Sequence, residues 1–394
     1  MLRNHVVVRT LTLLGIAALL AGCSNGGSGS LTPSAANAMK SHGSRPNAGV
    51  QEYAYVANAG TSDIYAYAID ATDGALRAVR GSPFAAGSGA VAVAIDAGGK
   101  YAYVADEGTT TVSGFKIDAS DGALTPVKNS PFTAGTSPSA IAADPKGKHL
   151  YVANYGSGNV SGYDVDASTG ELTPIKGSPF AAHTSPIAIG ITPNGRWVFV
   201  ANFGSGDVSG FRVNPATGAL EPVTLHDVGY GITSATVSPS NNFLYVSDDQ
   251  SNDVYAFRIT PTKGTIHAVK GSPFAAGQGP GGFSLSPDGK FAYVPNYTDG
   301  SVSGYSVNVM TGVLTQITGS PWQAGSEATG FAVDPDGKFG YSANWGGTDI
   351  SAYKINASSG ALTDVKGSPF GTGTNPAWMA TCKSESGVCK PPAL

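Results

Sequence analysis

The sequence predicts an all-β fold: a seven-bladed β-propeller of four-stranded antiparallel blades, its ring closed by a C-terminal inner strand that joins the N-terminal blade. Three observations predict it. A tetrapeptide of the type Tyr-Val-Ala-Asn recurs at spacings of 48, 48, 48, 46, 48 and 48 residues. Each repeat contains four short strand patterns. The first repeat starts at its second strand, at Tyr53, and residues 376–381 form an inner strand with no partner after it, so the two ends complete one blade.

The repeats single out one unusual blade. The tetrapeptide copies begin at Tyr55, Tyr103, Tyr151, Phe199, Tyr245, Tyr293 and Tyr341. A second marker, Ser-Pro followed by Phe or Trp, contains Pro83, Pro131, Pro179, Pro273, Pro321 and Pro369. The repeat around Phe199 lacks this marker and reads Leu-His-Asp-Val over residues 225–228. A site specialised in a single blade is expected there.

The repeat around residue 150 shows the order of strands within a blade. Residues 139–144 are small and mostly apolar, which is typical of an inner strand buried on both faces. After a Pro-Lys-Gly-Lys turn, residues 150–154 form the second strand, and residues 160–166 alternate as the third. Residues 172–176 form the outer strand, where Lys176 discourages edge pairing. The Asp-x-x-x-Gly turns between strands have too few ligands for a calcium loop, so no metal site is expected.

The N-terminal segment predicts export. Arg3 and Arg9 precede a short apolar run, and Leu-Ala-Gly-Cys ends at Cys23, which resembles the bacterial lipobox. The alternative is an ordinary leader with a chance cysteine. Residues 1–22 are thus predicted to be a lipoprotein signal peptide, residues 23–52 the lipidated Cys23 and a flexible tether, residues 53–382 the propeller, and residues 383–394 a C-terminal tail. We expect a lipoprotein anchored in the outer membrane through the lipid on Cys23, facing the periplasm or the surface.

Export also bears on whether the other two cysteines form a disulfide. Cys382 and Cys389 would lie in an oxidising compartment, which predicts a disulfide between them. A redox pair is the alternative, but it would favour the tighter Cys-x-x-Cys spacing.

Two loops of each blade are expected to meet at the face where the inner strand begins, and we interpret their residues as a ligand-binding mouth. The loops after the tetrapeptide strand open with Asn58, Asp106, Asn154, Asn202, Asp248, Asn296 and Asn344. The residues that follow include Glu107, Tyr155, Phe203, Asp249, Tyr297 and Trp345. The loops entering the inner strands add Tyr230 and two candidate catalytic residues, His183 and Glu327, which belong to blades three apart.

Each of these groups also has a structural interpretation. A short polar side chain after a strand caps the turn by bonding its own backbone. The aromatic residues could pack between blades, and a single histidine is often exposed or structural.

The repeat resembles the seven-bladed lactonase family and the neighbouring YVTN-type repeat propellers. Tyr-Val-Ala-Asn at residues 151–154, Gly-Ser-Gly-Asn-Val-Ser-Gly-Tyr at residues 156–163 and Asp-Ala-Ser-Thr-Gly-Glu-Leu at residues 166–172 carry the resemblance, which extends over about residues 53–382. It implies the propeller fold and, as an activity, the hydrolysis of a sugar lactone, as in 6-phosphogluconolactonase. Active relatives are expected to carry Asp-Leu-Gly-x-Asp-Arg after a second strand and a His on an inner strand. Residues 202–207 read Asn-Phe-Gly-Ser-Gly-Asp without Arg, and His183 precedes the inner strand, so the resemblance assigns no catalytic residue.

Charge narrows the ligand class. The formal net charge of −4 gives no reason to bind nucleic acid. The mouth loops contain no Lys or Arg, which a phosphorylated substrate would favour. Two functions follow: a binding scaffold for an envelope protein, a glycan or a small molecule, and, as the alternative, a 6-phosphogluconolactonase-like carboxylic-ester hydrolase that acts on a sugar or other neutral lactone with His183 or Glu327 as base. We expect a monomer with no cofactor.

Overall fold

The structure is a computed structural model that describes residues 51–392. Every regular element in this part of the chain is a β-strand, and none of its segments is a helix that could cross a bilayer. The signal peptide, Cys23 and the tether lie outside the described residues, apart from Gln51 and Glu52. The predicted seven-bladed β-propeller of antiparallel sheets is confirmed.

The first three blades repeat the same strand order from the inside outward. Blade 1 contains β1 (Glu52–Asn58), β2 (Asp63–Ile69), β3 (Leu76–Ala78) and β4 (Phe84–Ala85). Blade 2 contains β5 (Ala90–Ile95), β6 (Tyr101–Asp106), β7 (Thr111–Ile117), β8 (Leu124–Pro126) and β9 (Phe132–Thr133). Blade 3 contains β10 (Pro138–Ala143), β11 (His149–Asn154), β12 (Asn159–Val165), β13 (Leu172–Pro174) and β14 (Phe180–Ala181).

The remaining blades follow in chain order. Blade 4 contains β15 (Pro186–Ile191), β16 (Trp197–Asn202), β17 (Asp207–Val213) and β18 (Leu220–Asp227). Blade 5 contains β19 (Thr236–Val237), β20 (Phe243–Asp248), β21 (Asp253–Ile259), β22 (Ile266–Ala268) and β23 (Phe274–Ala275). Blade 6 contains β24 (Ser284–Leu285), β25 (Phe291–Asn296), β26 (Ser301–Val307), β27 (Leu314–Gln316) and β28 (Trp322–Gln323). Blade 7 contains β29 (Ala328–Val333), β30 (Phe339–Asn344), β31 (Asp349–Ile355), β32 (Leu362–Asp364) and β33 (Phe370–Gly371), and the chain ends with β34 (Pro376–Glu385) and β35 (Val388–Lys390).

The C-terminal strand closes the ring as predicted. β34 pairs antiparallel with β1 and becomes the inner strand of blade 1. It continues past Cys382 and turns back into β35, so the segment predicted to be a tail from residue 383 begins as a hairpin of the same sheet. The predicted disulfide between Cys382 and Cys389 joins the two strands of this hairpin.

The outer strand is divided in two wherever the Ser-Pro marker is present. In blade 2, β8 pairs with one end of β7 and β9 with the other. Proline has no N–H to donate to a ladder, so the marker interrupts the strand. Blade 4 lacks the marker, and its outer strand β18 runs without a break for 8 residues, with a bulge opposite Gly210 and Phe211.

Neighbouring blades are joined by recurring hydrogen bonds. The tyrosine that opens each tetrapeptide donates its hydroxyl to a glycine carbonyl in a turn of the next blade; for example, Tyr151 Oη lies 2.7 Å from the Gly218 oxygen. Phe199 occupies this position in blade 4 and has no hydroxyl to donate. Near the channel, side-chain hydroxyls bridge adjacent inner strands, as from Thr329 to the Ala377 carbonyl at 3.0 Å. The core therefore lies between the blades and in effect forms a ring around the channel.

Candidate functional site

The two predicted loops of each blade meet at one face, which we call the mouth. The N–H of the residue after each tetrapeptide strand donates to the carbonyl of the loop that enters the inner strand, as between Tyr155 and Ser137 at 2.9 Å and between Trp345 and Glu327 at 3.0 Å. The accepting residues all have positive φ, and they are Gly89, Ser137, Ser185, Gly231, Gly279, Glu327 and Asn375. One recurring backbone bond thus holds the two mouth loops of every blade together.

The structure places the polar ring inside the blades and not in the mouth. The Asn154 amide donates to Asn159 Oδ1 at 2.8 Å and to Ser161 Oγ at 2.9 Å, and its oxygen accepts the N–H of Gly135. The whole ring is buried, namely Asn58, Asp106, Asn154, Asn202, Asp248, Asn296 and Asn344. The prediction that these side chains face a ligand is therefore corrected: they tie the second and third strands of a blade to its entering loop.

The residues after the ring do reach the mouth, where each is partly exposed: Glu107, Tyr155, Phe203, Asp249, Tyr297 and Trp345. Burial raises the pKa of Glu107 to about 7. Burial, followed by the charge of Asp248, raises the pKa of Asp249 to about 6. Blades 2 and 5 thus each present a carboxyl group that changes charge near neutral pH.

Glu327 lies beside an aromatic residue of the preceding blade. Tyr297 Oη donates to Glu327 Oε2 at 2.7 Å. Burial and this hydrogen bond raise the pKa of Tyr297, so its hydroxyl stays neutral. Glu327 and His183 share neither a hydrogen bond nor either of the cavities described below. The two candidate catalytic residues therefore belong to separate arrangements.

His183 is oriented by a buried carboxylate. Its Nδ1 lies 2.8 Å from Asp207 Oδ2, and the side chain of Asp207 is only 4% exposed. The other Asp207 oxygen accepts from the Asn202 amide at 2.7 Å, while Asn202 Oδ1 accepts the His183 N–H at 3.3 Å. The His183 side chain is 47% exposed, and the contact at Nδ1 leaves Nε2 free to meet a ligand.

The sequence did not identify Asp207, because it occupies the position that in other blades holds an ordinary partner of the buried amide. In blade 3 that partner is Asn159, and in blade 7 it is Asp349, which accepts from Asn344 at 2.6 Å. Only the position of a histidine in the adjacent entering loop gives the second oxygen of Asp207 its additional role.

A cavity of about 440 Å³ opens beside His183. Its walls are two mouth loops, with Tyr155, Ser157 and Gly158 on one side and Thr184 and Ser185 on the other. The Ser157 hydroxyl oxygen accepts the Thr136 N–H at 2.6 Å, which leaves its hydrogen available for a ligand. The cavity thus combines an oriented imidazole with neutral donors. Tyr230, also predicted at the mouth, is 69% exposed and lies outside this lining.

Across residues 51–392, no group of three or more His, Cys, Asp and Glu side chains is placed to hold an ion. The Asp-x-x-x-Gly segments are turns, as predicted: Asp70 Oδ1 accepts the N–H of Thr72 at 3.0 Å, and Gly74 has a φ of 78°.

Comparison with known families places the chain. The family model described as "Lactonase, 7-bladed beta-propeller" matches residues 25–233 and 229–386. The chain belongs to this family. The predicted resemblance to the lactonase propellers is therefore confirmed, whereas no curated protein matches the sequence significantly.

Solved lactonase-like structures share the fold. A protein from Bacteroides uniformis described as a putative 6-phosphogluconolactonase is 20% identical, with a TM-score of 0.74 over 84% of this chain and 99% of that one. One from Bacteroides fragilis with the same description is 21% identical, with a TM-score of 0.73 over 84% and 98%. The periplasmic gluconolactonase of Pseudomonas aeruginosa is 20% identical, with a TM-score of 0.73 over 84% and 99%. At these identities the similarity establishes the fold alone.

Proposed function

We propose that this lactonase-family propeller hydrolyses an uncharged lactone at the mouth, with His183 as general base. The observation that carries the proposal is the contact between His183 Nδ1 and the buried Asp207, beside a cavity that could hold a small ring. A histidine oriented by a buried carboxylate is a recurring arrangement for proton transfer near neutral pH.

The cavity supplies the other groups that the reaction needs. His183 Nε2 would take a proton from water, whose oxygen attacks the lactone carbonyl carbon. The hydroxyl of Ser157 would donate to the carbonyl oxygen as negative charge develops on it. The ring C–O bond then breaks, His183 returns the proton to the leaving oxygen, and the product is a hydroxy acid. Asp207 stabilises the imidazolium that forms between the two proton transfers.

The electrostatics of the mouth favour a neutral substrate. The mouth loops carry Glu107, Asp249 and Glu327 and contain no Lys or Arg. A phosphate ester would meet these carboxylates with no cation to bind it. Of the two substrate types named for the structural neighbours, gluconolactone, which carries no charge, fits this mouth better.

The proposal is tested by replacing His183 and its partner. We expect His183→Ala to lower kcat/KM for gluconolactone at least about 100-fold, because the general base is lost. Asp207→Asn should lower it by about 10- to 100-fold, since the imidazolium loses its counter-charge. Lactone opening is followed by proton release above the spontaneous rate. His267→Ala, which removes an exposed histidine from β22, is the matched control and should leave the rate unchanged.

Two results would contradict the proposal. One is a wild-type protein that opens no lactone above the spontaneous rate. The other is a His183→Ala variant as active as His267→Ala. That result would assign the general base to a carboxyl group of the mouth, and Glu107 would be replaced first because its pKa is about 7.

A binding scaffold is the second candidate function. The observation in its favour is Tyr230, a large side chain that is 69% exposed on the loop entering blade 5 and close to the aromatic mouth. An exposed aromatic residue of this kind is a common anchor for a protein or glycan partner. If so, Tyr230→Ser should abolish a partner's capture from the cell envelope, while Met310→Ser, at an equally exposed apolar site on blade 6, should not.

We also propose that the protein is anchored in the cell envelope through lipid on Cys23, on the lipobox pattern alone. Metabolic labelling with a fatty acid should mark the wild-type protein and not Cys23→Ser. Equal labelling of the two proteins would contradict lipidation at Cys23.

A further inference from the structure

We infer that the seam between blades 3 and 4 holds an apolar tail on the substrate, so that the protein acts on amphipathic lactones that carry an alkyl chain. The inference rests on the proposed function, because it places the lactone ring beside His183. It adds a second subsite on the outer part of blade 4 and a class of substrate that has an apolar tail.

The subsite is a second cavity of about 330 Å³ that continues from the first. Ala182 and His183 line both cavities, so a ligand at the imidazole can extend from one into the other. The far walls are Phe211 of β17 and Val223 and Leu225 of β18. No Asp, Glu, Lys or Arg lines this cavity, which suits a hydrocarbon chain and disfavours a charged extension.

This seam lacks a hydroxyl bond that four of the other seams have, as do the seams at Phe115 of blade 2 and Phe257 of blade 5. In several other blades, a tyrosine at the position of Phe211 donates to a carbonyl of the preceding blade's short outer strand. Tyr163 donates to Thr133 and Tyr305 to Ala275, each at 2.6 Å. Phe211 has no hydroxyl with which to make the equivalent contact with Ala181. Blade 4 differs from blades 2 and 5 in its unbroken outer strand β18, which supplies Pro222, Val223 and Leu225 to the cavity.

Blade 4 also exposes apolar side chains beside this cavity. Within residues 51–392, the exposed large apolar residues are Val223, Leu225, Tyr230, Val309 and Met310. Val223 is 36% exposed and Leu225 is 50% exposed, and both line the cavity. Exposed apolar groups that continue a pocket are typical of a ligand-binding groove.

The shape of β18 argues for a small molecule over a paired strand. A peptide or a second copy would add to the edge of blade 4 through main-chain hydrogen bonds. Pro222 has no N–H to donate, and the bulge at Val223, opposite Gly210 and Phe211, disrupts the register. An alkyl chain needs neither group and only has to lie against Val223 and Leu225.

The test compares γ-butyrolactone with γ-lactones that carry alkyl side chains of increasing length. For the wild-type protein we expect kcat/KM to rise roughly two- to fourfold per methylene until the groove is filled, the range expected for partial to full burial of each methylene. The double variant Val223→Thr with Leu225→Thr should flatten this rise. Its kcat/KM for γ-butyrolactone, which has no alkyl chain to reach the groove, should stay that of the wild-type protein. Val309→Thr with Met310→Thr, which changes apolar groups outside the cavity, is the matched control and should keep the rise.

A second variant tests the seam without removing any contact. Phe211→Tyr adds the hydroxyl that forms a hydrogen bond at other seams, so it should keep or raise the melting temperature. It should lower kcat/KM only for the lactones with long alkyl chains. If Phe211→Tyr and the double threonine variant both keep the full dependence on chain length, the subsite is overturned.

Calorimetric binding separates this inference from the proposed function. Affinity that rises with chain length in the absence of turnover supports the subsite and refutes the hydrolase. Turnover of all lactones at one rate, with affinity independent of chain length, supports the hydrolase and overturns the subsite.

Discussion

At the scale of single residues, Glu327 occupies a backbone conformation that opposes its side chain. Its φ is 55°, in the left-handed region that three other blades fill with glycine. A side chain other than Gly, Asn or Asp in this region costs about 1 kcal/mol or more. The hydrogen bond from Tyr297 offsets part of that cost. Ser137 and Ser185 hold the same position in two other blades with φ of 52° and 56°, so the strain recurs around the mouth and its effect is measurable.

Two substitutions at this position isolate the strain. Glu327→Gly and Glu327→Ala both lose the bond to Tyr297, so they differ mainly in their tolerance of positive φ. We expect the glycine variant to be more stable by about 1 kcal/mol in denaturant unfolding. Ser137→Gly and Ser137→Ala are the control pair, because Ser137 holds the same position in blade 3 with a φ of 52°, and the two variants should differ by a similar amount. An alanine variant as stable as the glycine variant would show that the conformation relaxes.

A buried carboxyl group, that of Glu52, lies on the strand that pairs with the closing strand β34. Glu52 begins β1, is 4% exposed, and pairs across the sheet with Lys383, whose Nζ lies 3.7 Å from its Oε1. Burial, then the negative charges of Asp334 and Asp336, raise the pKa of Glu52 to about 8, against the lowering effect of Lys383. Lys383 is itself bonded to Asp336, so it compensates only part of this charge.

This pKa determines a pH dependence of stability. In the unfolded chain Glu52 loses its proton near its ordinary pKa of 4.5, whereas in the folded protein it keeps the proton up to about 8. Between these values the folded state binds more protons, so the free energy of unfolding falls as pH rises from about 5 to about 8. We expect Glu52→Gln to recover about 1–2 kcal/mol at pH 8 and little at pH 5, measured by denaturant unfolding. Glu385→Gln, at an exposed carboxylate of the same strand pair, should leave the pH slope as it is.

At the scale of strands, six of the seven boundaries between blades have a hydrogen bond from the tetrapeptide tyrosine to a glycine carbonyl, which we call the tyrosine lock. A substitution could add this bond at the seventh. Trp197 contacts Gly264 as Tyr101 contacts Gly170, so the turn of blade 5 is in the usual position. We expect Phe199→Tyr to donate to the Gly264 carbonyl and to raise stability by about 1 kcal/mol. Tyr151→Phe, which removes an existing lock to Gly218, should lower it by a similar or larger amount. A destabilised Phe199→Tyr would mean that Trp197 leaves no room for the hydroxyl.

Strand patterns predicted where each mouth loop lies but not where its side chains point. The repeat predicted that Asn154 ends a strand, and the structure agrees. Its burial depends on Asn159 and Ser161 lying opposite it in the hairpin, a register that only the pairing of β11 with β12 reveals. For the same reason the sequence identified His183 and missed Asp207, which lies 24 residues away and meets it across two strands of blade 4.

At the scale of the whole molecule, the ring and its closing strand were predictable, because a fixed period with an incomplete blade at each end leaves few other arrangements. The C-terminal hairpin was not, because its contacts are irregular. Ser384 Oγ donates to the Ala119 carbonyl at 2.7 Å, and the Cys389 N–H donates to the Gly99 carbonyl at 2.7 Å. The hairpin therefore attaches the closing strand to blade 2 as well as to blade 1.

The disulfide should stabilise this closure. Replacing Cys382 and Cys389 with alanine is expected to lower stability by about 2 kcal/mol, the value for closing a short loop in the unfolded chain. Reduction of the wild-type protein should give the same loss, and reduction of the double variant none. Equal stability of the two proteins under oxidising conditions would show that the hairpin holds without its covalent link.

The pairing of β34 with β1 also means that the propeller fold does not depend on which blade contains the chain ends. The Ser384 N–H donates to the Gln51 carbonyl at 2.7 Å, so the two ends of the described chain lie side by side in blade 1. A short linker could join them, and new ends could be opened in a turn of another blade without changing one strand pair of the ring. The propeller can thus be circularly permuted, and a fusion partner could then be attached at any chosen blade around its rim.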